Sequence, residues 1–180
     1  MAVAPVSPLV PVDEYLNSSY RPDVEYADGF LMERGMPTIA HSLLQAVLIS
    51  YFRLHGKSLG FVTLPEARTQ IVDRSRYRVP DIILVPAPLP PDRIVTSAPW
   101  AVVEIVSPDD RMTDQLDRCR DYKSIGIASV ILLDPERSIA FRFDDGSLLR
   151  TQFTSIDLPT GSLPFDTEAI FQQLREELGQ

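Results

Sequence analysis

Arg78-Val79-Pro80-Asp81-Ile82-Ile83-Leu84-Val85 and Ala101-Val102-Val103-Glu104-Ile105-Val106-Ser107-Pro108 are the two stretches on which the reading of this chain turns. Each is a short apolar run bounded by proline, the pattern of a strand covered on both faces, and each carries one acid. A carboxylate in such a strand must be paired, protonated or bound to a metal, because an isolated buried charge is too costly. An ion pair with Arg78, Arg111 or Arg118 is one reading of Glu104. The second acid weighs against it. Asp81 begins the neighbouring strand, and two carboxylates brought close repel unless a cation lies between them. Hard divalent ions such as magnesium take one or two carboxylates together with waters and phosphate oxygens.

Directly after the second strand, residues 111–124 have helical spacing. Arg111, Asp114, Arg118 and Tyr122 recur at intervals of three and four and share one face, so two acids and a basic helix face are expected to converge. Upstream, Asp28-Gly29 between Val24-Glu25-Tyr26 and Phe30-Leu31-Met32 predicts a hairpin with Glu25 on its first strand. A helix is expected over 38–55, ended by Gly56, with His41 in its first turn. A lone histidine there is a poor zinc signal and reads as a hydrogen-bonded structural group. Strands are expected over 61–64 and 69–72, then an arginine-bearing turn into the Asp81 strand. The link from Pro86 to Pro99 holds five prolines and should be stiff, either a surface connection or a lid. A buried strand over 129–133, a second hairpin at Asp144-Asp145-Gly146 and a helix opening at Asp166 complete the pattern.

With 180 residues, 44% of them hydrophobic, one core and one domain over 12–180 are expected, preceded by a proline-rich, poorly ordered segment over 1–11. Neither a membrane-length apolar run nor a basic leader is evident, which predicts a cytoplasmic protein without a membrane partner. The single cysteine, Cys119, excludes an internal disulfide and a cysteine metal cluster and fits a helix core position. A net charge of -8 argues against a protein that coats nucleic acid indiscriminately, yet leaves room for a local groove. Arg68, Arg74, Arg76 and Arg78 gather just before Asp81, and arginine suits bidentate phosphate contact.

Pro80-Asp81, Glu104-Ile105-Val106-Ser107-Pro108, the helix ending in Tyr122, and Val130-Ile131-Leu132-Leu133-Asp134-Pro135, with Glu25-Tyr26-Ala27-Asp28-Gly29 and His41 upstream, form an ordered set. In order and spacing this set resembles the Uma2 family of restriction-endonuclease-like proteins, within the PD-(D/E)xK nuclease superfamily. The resemblance implies an α/β (α+β) fold, a restriction-endonuclease-like core whose mixed central sheet is flanked by helices, with the Asp81 and Glu104 strands adjacent and antiparallel. It implies an Mg²⁺- or Mn²⁺-dependent endonuclease that hydrolyses DNA phosphodiester bonds through a two- or three-carboxylate site. Asp81, Glu104 and Glu25 are then the metal ligands and catalytic carboxylates, Arg118 the catalytic basic residue of the helix, and His41, Arg78, Arg111 and Tyr122 neighbours of the site. A homodimer is expected because such domains pair to cut two strands.

Two departures from the pattern matter. Val106 stands two residues beyond Glu104, where the superfamily has lysine, and Arg118 takes the place of the helix lysine of the Uma2 pattern. An arginine stabilises phosphate charge but stays protonated and cannot act as a base. A catalytically silent binding or assembly module is therefore the alternative. A two-carboxylate glycosidase is the third reading, disfavoured by a single tryptophan, Trp100. Affinity for DNA is expected to be weak and to fall steeply with salt.

Overall fold

The computed structural model describes residues 9–179, so most of the segment expected to be poorly ordered, residues 1–8, lies outside the described residues. The elements of the first half are α1 (Val12–Asn17), β1 (Glu25–Ala27), β2 (Phe30–Met32), α2 (Ile39–Leu59), β3 (Phe61–Pro65), β4 (Thr69–Val72), β5 (Arg76–Arg78) and β6 (Ile82–Pro86). They continue with β7 (Ala101–Ile105), α3 (Met112–Ser124), β8 (Ser129–Asp134), β9 (Ile139–Asp144), β10 (Ser147–Arg150), β11 (Ser155–Leu158), β12 (Gly161–Pro164) and α4 (Thr167–Glu177). A six-stranded mixed sheet in the order β10-β9-β8-β7-β6-β3 forms the centre, beside a four-stranded sheet β2-β1-β5-β4 and the β11-β12 hairpin. The strands β6 and β7 pair antiparallel, as the family resemblance implied, while β7 and β8 run parallel with α3 as the crossover.

Strand alternation divides the centre into two cores. Ile82 and Leu84 of β6, with Ala101, Val103 and Ile105 of β7, pack under Leu44, Leu48 and Phe52 of α2 and Ile170, Phe171 and Leu174 of α4. Ile83 and Val85, with Val102 and Leu132, face Cys119 and Tyr122 of α3. Each such large apolar side chain contributes roughly 1.5–3 kcal/mol on burial. The same alternation decides the site: Glu104 shares the face of Val102 and so looks toward α3 rather than α2.

Both predicted hairpins form through two-residue turns with left-handed backbones, Asp28 and Gly29 at φ 48 and 93, Asp145 and Gly146 at φ 43 and 78. The helix expected over 38–55 runs on to Leu59, and Gly60, at φ 74, caps it in place of Gly56. Gly56 serves packing instead: a Cβ there would lie 2.7 Å from the Phe61 carbonyl oxygen. The arginine-bearing turn is a strand, β5, because Tyr77 alternates inward between Arg76 and Arg78 and lands on the aromatic cluster of Tyr15 and Tyr26. The proline-rich link is pinned where the Val95 amide donates to the Arg68 carbonyl and the Gln70 amide to the Val95 carbonyl, both at 2.8 Å, which covers the β4 edge. No helix among the described residues is long and apolar enough to cross a membrane.

Candidate active site

The register Ile82 to Val103 and Ile83 to Val102 carries the β6-β7 ladder to its last pair, and one step further places Asp81 opposite Glu104. Side chains continue the ladder where backbone pairing stops. The Ile105 amide donates to Asp81 Oδ2 at 2.8 Å, and the Asp81 amide lies 3.4 Å from Glu104 Oε2. Both acids are buried, at 3% and 0% exposure. Two like charges thus face each other across an antiparallel pair, an arrangement that destabilises a sheet unless something offsets it.

Three parts of the chain supply the offsetting groups. Arg34, on the segment between β2 and α2, places Nη2 on Asp81 Oδ1, and His41 of α2 holds Nε2 at 3.3 Å from Oδ2. The Thr38 hydroxyl caps the helix by accepting the His41 amide at 3.1 Å, and this sets the start of the turn from which His41 projects. From α3, Tyr122 donates its hydroxyl to Glu104 Oε1, and Arg118 reaches Glu104 Oε2 at 3.9 Å. Burial would raise Asp81, yet the His41 hydrogen bond, the Arg34 guanidinium and the Ile105 amide hold it below the usual carboxylate range. Glu104 moves oppositely: burial, with the charge of Asp81 facing it, pushes it up to about 8 against the pull of Arg118. Near neutral pH the pair behaves as one ionised and one protonated carboxyl. Burial lowers Arg118, but the charges of Glu104 and Glu25 outweigh it and drive the guanidinium further up, so Arg118 acts as a fixed cation.

Glu25 joins this group only through Arg118, whose Nη2 stands 3.5 Å from Glu25 Oε2. Its closer partners are Arg78 Nη1 at 2.6 Å and the Val79 amide at 3.2 Å. Arg78 also grips Asp121 of α3 with Nε at 2.8 Å and Nη2 at 2.6 Å. Arg111 is exposed at the N-cap of α3. The arginines before Asp81 are absorbed by carboxylates: Arg68 by Asp23, Arg74 by Asp13, Arg76 by Asp121, Arg78 by Glu25 and Asp121. They tie sheets and helices together instead of presenting a phosphate groove.

A cavity of about 260 Å³ opens on one side of the acid pair, walled by Asp81, His41, Arg34, Glu66, Asp110 and Arg118 among others. Glu66 and Asp110 were not expected here, nor was Gln45, which donates to the Asp81 carbonyl at 3.0 Å. Neither was Arg34, which stands outside every regular element, and no local pattern marks such a residue. Glu66 holds a left-handed backbone, φ 48, beside the cavity, a conformation that non-glycine residues adopt at a cost. Among the described residues, no three His, Cys, Asp or Glu side chains are grouped to hold a metal ion, so Asp81 and Glu104 stand as a two-carboxylate pair.

The family model Uma2, described as "Putative restriction endonuclease", matches residues 12–168. The chain belongs to the Uma2 family. Among solved structures, this Uma2 chain resembles one from Anabaena variabilis ATCC 29413, described as "a putative nuclease belonging to DUF820". The two are 22% identical over 92% of this chain and 99% of that one, with a TM-score of 0.76, so they share the fold. A DrdV–DNA complex aligns with 75% of this chain and 11% of its own, at 14% identity and a TM-score of 0.43. No curated protein matches the chain.

Proposed function

We propose that this Uma2 chain is a divalent-ion-dependent endonuclease that hydrolyses DNA phosphodiester bonds, acting in the cytoplasm as a homodimer. The observation that carries the proposal is the Asp81–Glu104 pair, two acids opposed across a strand pair, with Asp81 lining a cavity that Arg34 and Arg118 also border and Glu104 buried behind it. Membership of a family described as restriction endonucleases supports the reaction class.

The donor set suits Mg²⁺ or Mn²⁺. Both candidate ligands are hard carboxylate oxygens, and among the described residues the polar partners of Glu104 Oε2 are the Asp81 amide at 3.4 Å and Arg118 at 3.9 Å. When bound, the ion would lower the pKa of a water and neutralise charge on the scissile phosphate. The protein's own groups do the positioning. Tyr122 fixes Glu104 Oε1 and so turns Oε2 toward Asp81, while the Ile105 amide and His41 fix Asp81 Oδ2. Arg118 supplies permanent positive charge beside the cavity, suited to a phosphate oxygen and unable to take a proton. Glu25, the third expected carboxylate, acts in this reading as the anchor that aims Arg118.

The silent-module alternative draws on one observation, that Arg118 already sits between Glu25 and Glu104 as a neutralising cation. Isothermal titration with Mn²⁺, alongside nicking of plasmid DNA at low ionic strength, separates the two readings. Native protein should bind Mn²⁺ and nick the plasmid, and Asp81→Ala should lose both. Protein that takes up no Mn²⁺ and leaves DNA intact with Mg²⁺ or Mn²⁺ is the silent module. Light scattering that shows monomer alone would remove the homodimer.

A further inference from the structure

Arg34 is held quite differently from Arg78, the arginine beside Glu25. It sits on the six residues 33–38, between β2 and α2, which form neither helix nor strand. Its guanidinium makes one close contact, Nη2 to Asp81 Oδ1 at 2.5 Å, and one long contact, Nη1 to Glu66 Oε1 at 3.4 Å. Its Nε is buried without a hydrogen-bond partner. Arg78, by contrast, commits Nε, Nη1 and Nη2 to Glu25 and Asp121 from within a strand. An arginine on an irregular segment, held at one end and unsatisfied in the middle, gives up fewer contacts on release than Arg78 would.

The oxygen it holds is the one that matters. Asp81 Oδ2 is committed to the Ile105 amide and His41, whereas among the described residues Oδ1 is paired with Arg34, and both Asp81 and Arg34 line the cavity. A guanidinium and a dication on one carboxylate oxygen repel each other strongly. We propose that Arg34 is a tethered cation that competes with the divalent ion for Asp81 Oδ1, so that the ion loads only as Arg34 releases the carboxylate. Arg34 therefore sets the divalent concentration at which the acid pair becomes loaded. The inference rests on the divalent-ion reading of Asp81 and Glu104 given above.

The arithmetic is that of a competent fraction: if Arg34 leaves Asp81 free about a tenth of the time, the apparent affinity of the ion drops about tenfold. Isothermal titration of Mn²⁺ into native protein, Arg34→Gln and Asp81→Asn tests it without reference to cleavage. Arg34→Gln should bind Mn²⁺ about tenfold tighter than the native chain, and Asp81→Asn should abolish binding. Equal affinity of native protein and Arg34→Gln, with loss in Asp81→Asn, overturns the role of Arg34 and leaves the divalent-ion reading standing. No binding by native protein or Arg34→Gln overturns both. Should Arg34→Gln not fold, side-chain ¹⁵N spectra of the native protein decide. Added Mg²⁺ should shift the Arg34 Nε signal while that of Arg78 stays in place, and an unmoved Arg34 signal overturns the proposal.

Discussion

Glu25 with Arg78 and Asp81 with Glu104 are the same construction made with different charges. Each pair stands one step past the last bonded residues of an antiparallel strand pair, β1 with β5 and β6 with β7. Each is buried at a strand end, and α3 reaches both, with Asp121 on one side, Tyr122 on the other, and Arg118 between them. The Glu25 pair is of opposite sign and saturated: both its oxygens and all the nitrogens of Arg78 are engaged at 2.6–3.2 Å. The Asp81 pair is of like sign, with Arg34 close at 2.5 Å but His41 and Arg118 at 3.3 and 3.9 Å, and Asp81 borders a cavity where Arg34 Nε and His41 Nδ1 lack partners. A chain selected for stability alone has no use for the second arrangement, since like charges opposed on a sheet cost stability. The difference accords with the roles proposed above, the Glu25 cluster as architecture and the Asp81 cluster as the divalent-ion site.

The largest effect separating the two clusters is expected from Arg78→Ala, which strands Glu25 and Asp121 without their main cation. Urea denaturation should show a loss of about 3–5 kcal/mol, the range for breaking a buried ion pair. A loss near zero would mean that the saturated cluster is not what holds the four-stranded sheet to α3. Arg118→Ala should cost less, about 2 kcal/mol by the same measurement, because its contacts of 3.5 and 3.9 Å are longer, while it removes nicking activity. Arg118→Lys should keep the activity, since lysine retains the charge at the cavity.

A pH series sharpens the comparison further. The unfolded chain releases the Glu104 proton near 4.5, whereas the folded chain keeps it to about 8, so the folded state binds more protons between these values. Stability should therefore fall as pH rises through that window, by at most about 1.4 kcal/mol per pH unit, and Glu104→Gln should flatten the slope. Asp81 works in the other direction. Held below its ordinary 3.8, it contributes stability that is present above that value and lost as pH falls through the lower folded one. Denaturation midpoints that rise from pH 5 to 8 would contradict the like-charge reading. The smallest effect belongs to Arg111→Ala, exposed at the α3 N-cap, which should leave both the midpoint and the nicking rate unchanged.

Much of the central sheet was legible because its signals are local. Apolar runs bounded by proline gave β6 and β7, Asp-Gly pairs gave two hairpins, and Asp166 accepts the amides of Glu168 and Ala169 as a helix cap. The extent of α2 was misjudged at Gly56, since glycine at a helix end and glycine under a crossing backbone look alike in sequence. The β11-β12 hairpin passed unread although Ile156, Leu158 and Leu163 point inward from it, a pattern four residues long being too short to stand out.

What the sequence by itself determined about this protein is therefore the pair of acids and the strands that carry them. A carboxylate in an apolar run is costly wherever that run ends up, and so it stands out before any fold is known. The tertiary structure alone decided which cations meet those acids. Arg78 and Arg34 are equally basic in sequence, yet one register step puts Arg78 against Glu25, and the path of residues 33–38 lays Arg34 across Asp81. An arginine's charge is intrinsic to the residue, but the carboxylate it neutralises depends on the few ångströms over which an ion pair acts, and those are set by chain path and register.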